Sequence, residues 1–563
     1  MSQPVEQKRD LSRFHGGLEL PGHKELSNTS PIRQAKLPER LILPLAQHIG
    51  EAATAIVAVG DKVLKGDVIA ESEHFVSSPI HAPSSGTIED IGDYLVPHAS
   101  NMTAPCVVIK TDGKDEWRKT PETKLELRPD LAELQKIIRA AGLVGLGGAT
   151  FPTSVKLNAG ASHSIKTLII NAVECEPYIT CDDMLIRERA ESVARGINIL
   201  AAALQPEEIL VGIEDNKPAA QQALKAALKD IAEPAVEVVS IPTLYPSGGE
   251  KQLIKILTHK EIPDGKLSFD IGILCVNVAT TASLFHAVSA ERPLISRIVT
   301  VTGSGIKNPG NIETLLGTPF SELIAACGGY TDSASRLIMG GPMMGVSLAD
   351  DEVPVVKATN CILVSAEEEI GQPETPMPCI RCGECERVCP AQLLPQQLYW
   401  QIRANNFDRA KEYSLFDCIE CGCCSAVCPS HLPLVHYYRY AKNEIWDQQQ
   451  EHKAADLARQ RHDFRAFRID RAKQEREDML RKKKEALQKS KAKAKTSKKT
   501  SSKEDLIAAA VARVKNKKTA SKAAQKNITD LTQEQQEKIN IVEAKRQAKL
   551  LNTLKQNSEK DRP

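Results

Sequence analysis

The sequence predicts a multidomain chain of the α/β plus β class, with a helical cysteine-rich module and a basic tail. Three observations carry that prediction. The chain has 563 residues, too many for one domain at roughly 150 residues each. Strand and helix patterns alternate between residues 130 and 290 at the spacing of a mostly parallel sheet. Nine of the 15 cysteines fall between Cys379 and Cys428.

Charge divides the chain further. The total of 73 Lys+Arg against 72 Asp+Glu hides two unlike parts. Residues 441–563 hold 33 basic and 18 acidic residues, a net +15, which leaves −14 on residues 1–440. An acidic body with a basic tail excludes a uniformly basic nucleic-acid binder and a uniformly disordered acidic chain. The tail also has few aromatics for base stacking, so no nucleic-acid partner is expected. The N-terminus, MSQPVEQKRD, lacks the apolar core of a secretory signal. No run approaches about 18 consecutive apolar residues, the length of a spanning helix. Clustered cysteines in a long chain point to metal in a reducing compartment rather than to disulfides. A soluble or peripheral cytoplasmic protein is expected.

An N-terminal module is expected over residues 1–120, within which 40–112 read as short β segments. AIVAVGDKVLKGDVIA carries turns at Gly60-Asp61 and Gly66-Asp67, and Pro79, Pro83 and Ser85-Gly86 follow before TIEDI. The pattern resembles the biotinyl/lipoyl-type barrel-sandwich. Its tip region, ESEHFV, has no lysine to carry a group, so an unmodified structural module is expected.

Residues 121–295 form the α/β domain. DLAELQKIIRAAG reads as a helix ending at Gly142. TLIINAVE is a buried strand, MLIRERAESVARGINILAAAL an amphipathic helix, EEILVGIED a strand and AAQQALKAALKDIA a helix. KQLIKIL and IGILCVNVA continue the alternation. Residues 296–350 read as two strands, a Gly/Pro/Asn turn, a helix and a further strand, a small α+β module. Residues 370–440 hold the cysteines, with a helical segment, PQQLYWQIRANNFDRAKEYS, between their two halves. In the tail, residues 441–563, LIAAAVARV and INIVEAKRQAKLLNTL read as helices, with capping-like starts at Ser502-x-x-Asp505 and Thr532-x-x-Gln535. KSKAKAKTSKKTSSK reads as disordered.

The cysteines run Cys379-x-x-Cys382-x-x-Cys385-x-x-x-Cys389-Pro390 and repeat as Cys418-x-x-Cys421-x-x-Cys424-x-x-x-Cys428-Pro429. This is the bacterial ferredoxin spacing, twice. Three thiolates at i, i+3 and i+6 wrap three corners of a cubane, and the cysteine before proline ligates the other cluster. One 4Fe–4S cluster is therefore expected on Cys379, Cys382, Cys385 and Cys428. A second is expected on Cys418, Cys421, Cys424 and Cys389. Cys423 breaks the spacing and reads as a non-ligand. Zinc ribbons use two CxxC pairs per metal and have no use for the third cysteine or the Cys-Pro. The long spacer, residues 390–417, resembles the all-helical ferredoxin modules of multisubunit redox enzymes.

A glycine-rich loop runs Gly142-Leu-Val-Gly145-Leu-Gly147-Gly148-Ala149-Thr150-Phe151-Pro152. Glycines let backbone N–H groups approach a phosphate. A helix precedes this loop, so it is neither a Walker A motif nor a dinucleotide fingerprint, and a structural turn is an equal reading of the loop alone. The longer segment GLVGLGGATFPTSVK resembles the flavin loop of the NADH-binding, 51-kDa-type subunit of respiratory complex I. Three further motifs follow in that family's order: Asn171-Ala-Val-Glu174-Cys-Glu176-Pro177, Tyr245-Pro-Ser-Gly248-Gly249-Glu250 and Asn277-Val-Ala-Thr280. The resemblance implies a Rossmann-like domain holding non-covalent FMN, with NADH as substrate. It implies FMN phosphate or ribityl contacts from Gly145, Gly147, Gly148 and Lys156, and ring stacking by Phe151. It implies isoalloxazine and NADH contacts from Asn171, Glu174, Glu176, Glu250, Asn277 and Thr280. Core packing for Phe151, a solvated helix charge for Lys156 and an inert buried thiol for Cys175 stand as the structural alternatives. Val173, Gly249 and Ala279 depart from acids usual in that family. The module at 296–350 falls where that family has its β-grasp (SLBB) domain.

Taken in order over about residues 10–440, these parts resemble the RnfC/RsxC family, the C subunit of the Rnf (Rsx) ion-translocating electron-transport complex. The resemblance implies a peripheral subunit on the cytoplasmic side of the bacterial inner membrane. It would oxidise NADH through FMN and pass single electrons through two 4Fe–4S clusters to integral-membrane partner subunits, towards ferredoxin or a redox-sensing regulator. The altered acids keep open a flavin-free iron–sulfur relay or assembly scaffold. The basic tail reads as a docking or membrane-surface arm.

Overall fold

Three runs that are apolar without alternation become strands buried on both faces, as a parallel sheet requires. The computed structural model describes residues 9–119, 128–161, 164–229, 235–370, 375–496 and 507–513. It divides into two units, Met1–Gln450 and Glu451–Pro563. In the first, helix α1 (Leu131–Ala140) and helix α2 (Thr153–Ala161) precede strand β1 (Thr167–Ala172). Helix α3 (Cys181–Leu204), β2 (Glu208–Glu214), α4 (Pro218–Ala227), β3 (Val236–Ile241), α5 (Glu250–Thr258), β4 (Ile273–Asn277) and α6 (Val278–Ala290) follow. The strands stand in the order β3-β2-β1-β4, all parallel. β1, β2 and β4 are the buried runs. β3 lies at the edge, with Glu237 and Ser240 exposed, so its sequence lacks the unbroken apolar run of the inner strands.

Helices α1, α3, α4 and α6 bury one face of this sheet in a core that includes Ile170, Ile197, Val211 and Leu284. Leu253 and Leu257 of α5 cover the other face, over Ile169 and Leu210. From β1 the chain moves outward through β2 to β3, then returns to β4 on the other side of β1. The strand order therefore reverses between β1 and β4, the place where open α/β sheets form a crevice at their carboxyl ends.

The N-terminal module is two small sheets. Arg40–Pro44, Thr103–Thr111, Gly86–Leu95 and Lys62–Val63 form one; Thr54–Ala55, Val68–Glu71 and Ile80–His81 form the other. The β-grasp sheet contains β5 (Ser296–Thr302), β6 (Gly310–Leu315), β7 (Ala334–Met339), β8 (Val346–Leu348) and β9 (Cys361–Ala366). This sheet extends beyond the module end expected at residue 350. Buried β9 is an inner strand between β5 and β7. The N-terminal module does not pack alone: Leu43, Ile80 and Ile109 share one core with Val301, Phe320 and Ile362.

Two helical expectations change. The segment between the cysteine halves is two helices, Pro395–Arg403 and Phe407–Glu412. Asn405 turns left-handed (φ 54°) and Asn406 caps the second helix through Arg409 N. In the tail, residues 489–496 of the expected disordered run are helical, as the end of Leu434–Thr496. No glycine or proline interrupts this helix, and Ala, Lys, Gln and Glu are strong helix formers. Residues 507–513 of LIAAAVARV are helical. INIVEAKRQAKLLNTL and both capping-like starts lie outside the described residues. Among the described residues no helix is long and apolar enough to cross a membrane.

Lys357, 1% exposed, ties the body together. Its ammonium donates to Ser78 Oγ (3.1 Å), Pro79 O (3.0 Å) and Gly142 O (2.8 Å). Three donors meet three acceptors, as a buried cation requires. Gly142 has φ 65°, and a Cβ there would lie 2.7 Å from Pro79 O, so only glycine fits. Burial pushes the Lys357 pKa down to about 7. Lys357→Met leaves three buried acceptors without donors and should cost about 3 kcal/mol, read as a lower urea midpoint. An unchanged midpoint would show that the contacts carry no stability. Between the folded value and the ordinary 10.5 the unfolded chain binds more protons. Lys357 therefore makes stability rise with pH across that window, and the variant should lose that part of the slope.

Candidate cofactor sites

The two cysteine halves fold against each other and enclose two cavities. The first is lined by Cys379, Cys382, Cys385 and Cys428. The second is lined by Cys389, Cys418, Cys421 and Cys424, with Leu398 and Tyr438 behind them. Each cavity takes three cysteines from one half and the Cys-Pro cysteine of the other. The halves share a local device. Arg381 and Gly383, like Glu420 and Gly422, have positive φ (58° and 85°; 57° and 82°), turning the thiols at i, i+3 and i+6 to one side. Backbone N–H groups of Leu393 and Glu420 point at Cys389 Sγ and Cys418 Sγ, each at 3.4 Å. Four soft thiols around one small cavity suit an iron–sulfur cubane and not a hard cation. Cys423 lines neither cavity and is buried beside Tyr245 and Cys421.

The second set of expected residues meets at the crevice between β1 and β4, where Asn171 and Asn277 are register partners. Asn277 caps α6, its Oδ1 accepting Ala279 N (2.9 Å) and Thr280 N (3.3 Å). Its Nδ2 donates to Asp182 Oδ2 at 2.8 Å. The glycine loop crosses this helix start. Thr280 Oγ1 accepts Leu146 N at 2.9 Å, and a Cβ on Gly147 would lie 3.3 Å from Asn277 Cβ. Gly145 N donates to Phe151 O (2.8 Å) and closes the loop, while the Phe151 residue itself is half-buried. Gly148 has φ 116° and faces open space. Thr153 Oγ1, at the start of α2, is buried without a hydrogen-bond partner among the described residues. An open glycine and an orphaned hydroxyl at a helix start are what a phosphate or ribityl oxygen would satisfy, so this end of the crevice fits FMN.

Other expected residues have partners of their own. Lys156 Nζ pairs with Glu250 Oε2 at 2.7 Å, and Glu250 Oε1 accepts Ser268 Oγ at 2.6 Å. Asn171 Nδ2 donates to Gly248 O at 2.8 Å. Glu174 caps α3, accepting Asp182 N (2.7 Å) and Asp183 N (3.2 Å). Burial, with Asp182 and Asp183 close by, pushes its carboxyl up to about 8 against the pull of Lys24. Glu176 turns towards the β-grasp module, where Oε1 accepts Met343 N (2.8 Å) and Met344 N (3.0 Å). Cys175 Sγ accepts Gly248 N at 3.3 Å, and burial pushes its thiol up to about 12, so it is no ready nucleophile.

Three residues have roles that were not foreseen. Lys24 donates to the carbonyls of Glu174 (2.8 Å), Glu176 (3.1 Å) and Ile179 (2.7 Å) and holds the loop after β1. Buried Arg297 reaches Leu146 O at 3.2 Å. Tyr245, 3% exposed, donates its hydroxyl to Cys421 O at 2.7 Å, so the second cavity abuts the α/β domain. Nothing local to a lone Lys, Arg or Tyr marks such long-range roles in sequence. The first cavity faces outward, with Cys382 and Ile380 exposed.

Asn277 offers a test of the crevice. Asn277→Ala should cost about 1 kcal/mol through the lost cap. Asn277→Asp keeps a cap but sets a carboxylate against Asp182, so one of the two must hold a proton. Its stability relative to wild type should then fall as pH rises through that raised value. Urea midpoints at about pH 5 and about pH 8 check this; an aspartate variant as stable as wild type at both would mean that Asn277 does not face Asp182.

Comparison with known proteins follows the same division. Family models match residues 12–114 (RnfC Barrel sandwich hybrid domain), 138–286 (Nuo51 FMN-binding domain), 298–347 (SLBB domain) and 378–432 (4Fe-4S dicluster domain). A protein of Pseudomonas aeruginosa, named as the C subunit of an ion-translocating oxidoreductase complex, is 50% identical over 472 residues, 83% of this chain and 60% of that protein. Proteins of the same name are 47% identical over 465 residues in Yersinia enterocolitica and in Yersinia pestis bv. Antiqua. Each match covers 82% of this chain, with 66% and 74% of those proteins. The chain thus spans less than two thirds of the length of the Pseudomonas aeruginosa relative. With 74% of the Yersinia pestis protein matched at 47% identity, the chain belongs to the family of C subunits of ion-translocating oxidoreductase complexes.

Proposed function

We propose that this chain is the peripheral electron-input subunit of a membrane-bound ion-translocating oxidoreductase complex. It oxidises NADH at an FMN in the crevice of residues 121–295. It passes single electrons through two 4Fe–4S clusters in residues 370–440 to membrane partner subunits, towards ferredoxin or a redox-sensing regulator. The observation that carries the reading is the pair of four-cysteine cavities, one joined by Tyr245 to the α/β domain whose crevice suits a flavin phosphate.

When bound, FMN supplies the exchange between a hydride's electron pair and the single electrons that clusters carry. The protein's own work is to hold and to exclude. Gly145, Gly147 and Gly148 would present backbone to the phosphate and ribityl chain, with Thr153 Oγ1 and Lys156 beside them; Lys156, paired with Glu250, would lend its charge to the phosphate. Asn171, Asn277 and Thr280 fix the crevice floor, and Phe151 offers a ring face at the loop's end. Glu174 holds α3 in register behind them, and Glu176 braces the wall towards the β-grasp module. Cys379, Cys382, Cys385 and Cys428 would hold the outer cluster; Cys418, Cys421, Cys424 and Cys389 would hold the inner one. The Tyr245–Cys421 hydrogen bond supports the inner set as first acceptor and the exposed set as the exit to a partner. By likeness to relatives named as members of a complex, the partners are the other proteins of that assembly at the cytoplasmic face of the inner membrane, with the basic tail as a docking arm. The Lys156–Glu250 pair and the missing acids at Val173, Gly249 and Ala279 favour a second reading, a flavin-free relay or scaffold.

Anaerobic purification separates the readings. About eight irons with matching sulfide, one FMN and NADH-dependent bleaching are expected. Clusters without FMN or bleaching would leave the relay, and zinc in place of iron would defeat both. Cys424→Ala should retain about four irons and Cys423→Ala about eight; equal loss in both would overturn the ligand assignment.

A further inference from the structure

The N-terminal segment Arg9–Leu20 belongs to none of the cofactor motifs, yet it touches both the α/β domain and the cysteine region. Its first part is anchored on the α/β domain, where Arg9 pairs with Glu208 and Glu237 and Ser12 N donates to Ile256 O at 3.0 Å. Its last part forms a two-bond bridge with Tyr245: Leu18 N to Tyr245 O at 2.8 Å and Tyr245 N to Leu18 O at 2.9 Å. Between these anchors it presses on the cysteine region. Gly17 N donates to Val388 O at 3.0 Å, and His15 Nδ1 lies 3.0 Å from Cys389 O. A carbonyl only accepts, so His15 donates from Nδ1.

These contacts close a ring around the inner cavity. Cys389 and Cys421 both line it. The carbonyl of the first is held by His15 and that of the second by Tyr245, while the strap and Tyr245 hold each other. The approach is close enough to dictate the residue types. Gly16 and Gly17 have φ 69° and 87°. A Cβ on Gly16 would lie 2.5 Å from Val388 C, and one on Gly17 2.8 Å from Tyr245 O. No side chain fits at either place.

We propose that Arg9–Leu20 is a positioning strap that locks the inner cluster's Cys389 and Cys421 to the α/β domain, with His15 and Gly16 as its key residues. The proposal rests on the functional reading above for its purpose, since a fixed separation between crevice and inner cluster is what electron transfer needs. The contact itself stands without that reading.

The test uses the full chain purified anaerobically, as wild type, His15→Ala, His15→Asn and Gly16→Val. Hydrogen exchange at residues 388–393 and 419–422 should rise on the order of five-fold in His15→Ala, the effect of one lost hydrogen bond on a local opening. It should rise further in Gly16→Val and return towards wild type in His15→Asn, whose amide keeps a donor. Residues 377–383, at the outer cavity, should not respond. In the dithionite-reduced chain, electron paramagnetic resonance should show one of two cluster signals altered by His15→Ala and Gly16→Val. Unchanged exchange and spectra in both variants would overturn the proposal, and so would a change shared equally by both cavities. If Gly16→Val fails to fold, the His15 pair decides alone. Neither readout uses flavin or NADH, and exchange needs no cluster, so a wild-type chain without FMN would defeat the functional reading while the strap is still judged.

Discussion

The structure depends on how one loop leaves the central strand. Residues 173–179 follow β1, and Lys24 pins them through three carbonyls. Burial and the nearby Lys217 push the Lys24 pKa down, but three acceptors for three donors keep the ammonium satisfied. With the loop fixed, Glu174 reaches the start of α3, and Asp182 there meets Asn277 at the crevice. Glu176 reaches the opposite way to Met343 and Met344, and Met343 O in turn sits where a Cβ on Gly422 would be, 2.7 Å away. One buried lysine therefore organises both the crevice wall and the surface against which the inner cavity rests.

That arrangement explains why the two cavities differ although their sequences repeat. Tyr245, Met343 and the N-terminal segment pack against Cys421 and Cys423 at the inner one, whose cysteines are largely buried; the outer one exposes Cys382. Burial and solvent exposure are levers that set cluster potentials. Identical spacing thus yields two unlike environments, because one half faces the α/β domain and the other faces out.

How much could be read beforehand follows the range of the interactions. The two four-cysteine sets were legible because ligand spacing is local and repeats. The buried strands β1, β2 and β4 were legible from their unbroken apolar runs. β3 was not, since at the sheet edge Glu237 and Ser240 interrupt its apolar residues and it resembles many surface segments. β9 was not, since it joins β5 and β7 from beyond the expected end of the module. Glu176 shows the limit of motif resemblance: the motif is present, but in this chain its carboxylate accepts backbone N–H groups of residues far along the sequence. Lys24, Tyr245 and His15 act wholly through such distant contacts. The tail helix to Thr496 was hidden because its low complexity suggests disorder, while the helix propensity of the same residues prevails.

The central claim is that the inner cavity stands between the crevice and the outer cavity. NADH-dependent reduction of single-cluster variants tests it most directly. A full chain carrying Cys382→Ala should still have its remaining cluster reduced by NADH. A chain carrying Cys421→Ala should keep an outer cluster that dithionite reduces but NADH does not. The opposite pattern, with the outer cluster responding to NADH after the inner one is lost, would contradict the account.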